Sequence, residues 1–137
     1  MGGVLTLPGS ADLTLNGVID GAGGLNKSGA STLILNGANT YLGGTTLGAG
    51  QLVVGDDTAL GLGGLTVAGA STLSSGSAAT TLANDVALDA DLSVVGSNDL
   101  TLNGVVNGAG ALVKQGDGNL TLSASNGYQG GTQGLWP

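Results

Sequence analysis

Apolar residues in this chain come in short alternating triplets. Leu5-Thr6-Leu7, Leu13-Thr14-Leu15, Leu33-Ile34-Leu35, Leu52-Val53-Val54, Leu65-Thr66-Val67, Leu100-Thr101-Leu102 and Leu120-Thr121-Leu122 share apolar outer positions, most often around a Thr. Thr is β-branched and suits the outer face of a strand. Gly, Asn, Asp and Ser bound the triplets, which completes the strand signature. Residues 78–94 offer a competing helical reading, because Leu82, Val86 and Ala90 stand four apart. The period-2 alternation of Val86, Leu88, Ala90, Leu92 and Val94 is longer. It predicts a strand there, with Asp89 and Asp91 together on the opposite face.

Spacing selects the fold. Leu13 to Leu33 is 20 residues, Leu33 to Leu52 is 19, and Leu100 to Leu120 is 20. Strands this short, recurring at this period, predict an all-β fold, a right-handed parallel β-helix (solenoid). Residues 1–137 then form one unit of about six or seven coils, a rod about 30 Å long at ~4.8 Å per coil. A coil cannot bury its own apolar face, so stability comes from its neighbours. The two ends are open edges that invite pairing, including self-association.

A longer repeat lies over the short one. Residues 13–46 align without a gap on 100–133, with 19 identities in 34 positions. The two lysines, Lys27 and Lys114, and the two tyrosines, Tyr41 and Tyr128, are each 87 residues apart. Self-similarity at a fixed period marks a repeat architecture. The expectation is a super-repeat of about four coils whose copies share three-dimensional roles, with less regular coils over 55–99. The second copy stops in mid-unit. That reads as a piece of a longer rod, or as Leu135 and Trp136 folding back over the end.

Composition removes most chemistry. The chain has no His, Cys, Arg or Glu, so neither a Ser-His-Asp nor a Cys-His arrangement exists. All nine acids are Asp, which bonds its own backbone in turns, whereas Glu favours helices. A net charge of -7 disfavours nucleic acid and anionic membranes. No apolar run approaches the 18 residues of a membrane helix. Paired carboxylates for glycoside cleavage have two candidates, Asp56-Asp57 and Asp89-x-Asp91. The first reads better as a turn, and the second lacks a sugar platform. "GDGN" at 116–119 faintly echoes calcium-binding solenoid loops and also reads as a turn. Lys27 and Lys114 are expected to run along a coil with their amines near turn carbonyls or an Asp. Tyr41 and Tyr128 are expected to pack over turns with their hydroxyls on backbone. Thr6, Thr14, Thr66, Thr101 and Thr121 raise the idea of an ice-binding face, but Ile34 and Val53 interrupt the array. No catalytic, cofactor or metal residue is assigned.

Residues 21–54, "GAGGLNKSGASTLILNGANTYLGGTTLGAGQLVV", resemble the passenger-associated repeat of bacterial autotransporters. The positions that carry the resemblance are Gly21, Gly23, Leu25, Lys27, Gly29, Thr32, Leu33, Leu35, Gly37, Asn39, Thr40, Tyr41, Gly43, Gly44, Thr45 and Thr46. The second copy keeps Gly108, Gly110, Leu112, Lys114, Gly116, Gly118, Leu120, Leu122, Asn126, Tyr128, Gly130, Gly131 and Thr132. It departs at Ala124 and Gly127. The resemblance implies a non-enzymatic structural β-helix in a secreted passenger, outside a Gram-negative cell. There it would serve as a rigid spacer and support folding and secretion across the outer membrane. A β-barrel translocator in the same precursor would anchor it. An adhesin or self-associating surface module is the alternative implication.

Overall fold

The structure, a computed structural model, describes residues 3–7, 9, 11–76, 79–123 and, for the backbone alone, 127–128 and 132–134. Its regular elements are all strands, wound as a parallel β-solenoid of about six turns. The first sheet stacks β1 (Leu5–Leu7), β3 (Leu25–Lys27), β5 (Thr45–Leu47), β7 (Leu65–Val67), β10 (Val86–Leu88), β13 (Val106–Gly108) and β16 (Gly127–Tyr128). The second stacks β2 (Leu13–Leu15), β4 (Thr32–Leu35), β6 (Gln51–Val54), β8 (Ser71–Ser75), β11 (Leu92–Val95), β14 (Leu112–Lys114) and β17 (Thr132–Gly134). The third holds β9 (Thr80–Leu82), β12 (Leu100–Leu102) and β15 (Leu120–Leu122). All seven triplets of the sequence lie in these strands, and no helix interrupts the described residues.

Register follows the sequence period. Leu13 pairs with Leu33, Leu33 with Leu52, Leu52 with Leu73 and Leu73 with Val94, one inward ladder through five coils. Leu33, Leu52, Leu73 and Val94 are buried. Each such side chain stabilises the rod by ~1.5–3 kcal/mol through its removal from water. A slip of one residue would turn the whole ladder to solvent, so the apolar pattern fixes the stacking.

The third side changes character along the rod. In the first three coils it is irregular, and backbone bonds between coils hold it. Thr40 N–H donates to Ile19 O (2.9 Å), and Leu62 N–H to Tyr41 O (3.0 Å). From the fourth coil it is a strand, β9, the edge of the third sheet. The Asp57 carboxylate accepts the N–H of Thr81 on this strand (2.9 Å), which closes part of an otherwise free edge.

Two expectations need correction. The alternation from Val86 to Val94 is not one strand: β10 and β11 belong to different sheets, and the chain turns a corner at 89–91. Alternation continues through the corner because both flanking strands send the same parity inward. The super-repeat does not keep its face either. Leu25 reaches Val106 through four coil steps, 25 to 45 to 65 to 86 to 106, which is 81 residues. The remaining six of the 87 carry the alignment to Leu112, in the next sheet. The second copy is therefore advanced by one side of the rod. The proposed cap at Leu135 and Trp136 lies outside the described residues.

Candidate functional site

The sequence pointed first to the lysines. Lys27 stands inward in β3, between Leu7 and Leu47 of the adjoining coils, and is 1 % exposed. Its Nζ donates to Gly29 O at 2.6 Å. Lys114 is inward in β14, 4 % exposed, and donates to Gly116 O at 2.9 Å. The expected turn carbonyls are there, but neither amine snorkels to water. Each lysine reaches two residues ahead and ties its strand to the following corner. The copies thus share a local role on different faces.

Burial pushes the Lys27 amine below its ordinary pKa, against the opposing attraction of Asp12. The unfolded chain consequently holds this proton more tightly than the folded one, and stability rises with pH through the window between the lowered value and 10.5. Tyr41 acts oppositely, since burial raises its pKa more than the bond to Thr45 lowers it, so the gain ends near pH 10. Lys27→Met keeps the stem and removes the charge. Urea titrations from pH 7 to 10 should show a flatter pH profile for the variant, with equal or greater stability at pH 7. An unchanged slope would remove Lys27 as its source.

Tyr41 is fully buried on the irregular third side. Its hydroxyl shares a 2.5 Å hydrogen bond with Thr45 Oγ1, not with backbone as expected. The Tyr128 side chain lies outside the described residues. Asn39, two residues before Tyr41, bridges three coils. Its Oδ1 accepts from Ile19 N–H and its Nδ2 donates to Ala59 O, both at 2.8 Å.

The aspartates have a role that the sequence reading missed. Asp12, Asp85, Asp91 and Asp99 each accept, at 2.9 Å, the backbone N–H of the residue 20 positions ahead: Thr32, Val105, Ala111 and Asn119. Each stands immediately before a strand, so its short carboxylate reaches across one coil rise. That placement was a legible signal, and the longer Glu would overshoot. Asp56 caps its own turn, accepting from Thr58 N–H at 2.9 Å, as the turn reading expected.

Three of the four carboxylates considered as catalytic pairs accept backbone N–H groups. Asp56 and Asp57 serve different backbone groups, and Asp91 is engaged with Ala111. Asp117 lies in the expected bend at 116–118. Among the described residues no group of three acidic side chains converges on a metal-sized space. The Thr array is dispersed too. Thr6 and Thr66 lie in the first sheet, Thr14 in the second, and Thr101 and Thr121 in the third. Surface features remain among the described residues. Leu42, 58 % exposed, lies beside a groove of about 210 Å³ lined by Gly43, Gly44, Gly63, Gly64, Thr46 and Thr66, and Leu62 is 68 % exposed. A hollow of about 260 Å³ opens at the first coil beside Leu7, Leu13, Lys27 and Leu33.

A parallel solenoid whose two lysines and six of whose aspartates bond its own backbone is a repeat protein of the solenoid class. The model of the passenger-associated-transport-repeat matches residues 25–54 and 112–133. Over an alignment of 115 residues that covers 82 % of the chain, it is 38 % identical to the adhesin BmaC autotransporter of Brucella suis biovar 1. The chain spans only 3 % of that relative's length. No solved structure matches the chain. The chain is a segment of autotransporter passenger domain.

Proposed function

We propose that this segment is a non-enzymatic spacer. It forms a rigid length of passenger outside a Gram-negative cell, anchored through a β-barrel translocator of the same precursor, and supports folding of the passenger as it emerges. The observation that carries this reading is the unbroken inward ladder from Leu13 to Val94. Each coil presents the next with the same register, so the rod can grow one coil at a time.

Register supplies the test. Deleting residues 86–105 from the full-length precursor brings Val106 to the position of Val86, where it can pair with Leu65. Surface display and the activity of the rest of the passenger are expected to survive the loss of one coil. Deleting 86–95 leaves the strands out of register and should abolish display. Loss of cell binding in the coil-deleted but displayed passenger would overturn the spacer reading.

The second reading is an adhesive module. The relative's name as an adhesin supports it, together with the exposed Leu42 beside the groove and the exposed Leu62. Self-association belongs to the same reading, through coil-end faces such as Leu5 and Leu13, which are 40 % and 39 % exposed.

A further inference from the structure

Every side-chain cation of this protein is inside it. The chain has two lysines, no arginine and no histidine, and both lysines are buried with their amines bound to corner carbonyls. Of the nine aspartates, eight are exposed and Asp56 is half-buried. They stand before strands and at corners in both halves of the rod, not in one cluster. All side-chain charge presented to solvent is therefore negative.

The density is enough to act. A net charge of -7 over a rod about 30 Å long is one charge per about 4 Å of axis, roughly 2.5-fold sparser than duplex DNA. That mean axial spacing is about half a Debye length of ~8 Å at physiological salt, so the charges add into a common field. An ordinary acidic protein offsets such a field locally with exposed lysines and arginines, and anionic surfaces can dock on those patches. This rod has none to offer.

We propose that the segment is a one-sign electrostatic spacer: it stands off from anionic envelope surfaces and from the flanks of its own copies, and the partner its surface fits is a lysine- or arginine-rich polypeptide. This deepens the spacer reading and rests on it. The lysines fit the same economy, since the only cations stabilise corners where no partner can reach them. Association through coil-end faces follows only after salt screens the rods.

The test uses the isolated protein, so it is independent of secretion. Co-sedimentation with vesicles rich in phosphatidylglycerol should show no binding at low salt, and oligolysine should bind tightly at low salt, more weakly at ~150 mM and not at ~1 M, where the Debye length falls to ~3 Å. Light scattering should report repulsion at low salt that weakens as salt rises. Asp89→Lys with Asp117→Lys replaces two carboxylates that cap no neighbouring coil among the described residues. It should create vesicle binding at low salt, and circular dichroism checks that the rod still folds. The milder Asp89→Asn with Asp117→Asn should reduce repulsion without creating binding, which keeps the test decisive if the lysine variant fails to fold. Vesicle binding or low-salt association by the unaltered protein would overturn the proposal. So would repulsion that is the same in the asparagine variant.

Discussion

Gly61→Ala is expected to disrupt the third coil, at a cost of about 2–5 kcal/mol. Gly61 has a φ of 68°, in the left-handed region, which costs an alanine ~1–2 kcal/mol. Its Cβ would stand 2.5 Å from Tyr41 O and 3.0 Å from Cδ1 of the buried ring. The carbonyl accepts from Leu62 and the ring is enclosed, so neither has room to yield. Overpacking of this kind adds ~1–3 kcal/mol. Gly17 is the control, with open space around its Cβ position and no positive φ. Gly17→Ala should be neutral or slightly stabilising, because it restricts the unfolded chain. Chemical denaturation of both variants measures the contrast, and equal effects would mean that the turn at Gly61 can adapt.

Asn39→Leu should cost a comparable ~2–6 kcal/mol, by a different route. The side chain ties Ile19 to Ala59 through the middle coil, and leucine would leave that N–H and that C=O without partners at ~1–3 kcal/mol each. Asn39→Asp keeps the acceptor for Ile19, loses the donor to Ala59 and buries a charge, so it is expected to be no better tolerated. Since each coil contacts only its neighbours, the damage should be local. Amide hydrogen exchange should accelerate over residues 19–62 and stay slow in β10 to β15. Uniform acceleration along the rod would show that the coils unfold as one unit.

The fold was legible because a solenoid is nearly one-dimensional. A period near 20 is both the sequence repeat and the register, so the ladders of Leu and Val could be read without knowing any distant contact. The same logic failed at Asp89–Asp91, where period-2 alternation continues through a corner and cannot show which sheet each half joins. The site residues were less legible. Lys27 and Lys114 were found as a pair, but their burial depends on the neighbouring coils that enclose them. The capping aspartates carried a signal in their place immediately before strands, while Asn39, which bridges two further coils, carried none that local reading could use.

By itself, then, the sequence determined the class, the coil period, the inward ladders and the scarcity of catalytic groups. Alternation and spacing express those directly. Only the tertiary structure decided the face on which each copy of the long repeat falls. It also decided the change in the third side at β9, the inward course of both lysines and the resulting one-sign surface. The physical reason is that 87 residues is four coils of 81 plus a six-residue step, and the step matters only once the chain is wound. Side-chain composition sets how much charge exists, whereas winding sets which charges meet water.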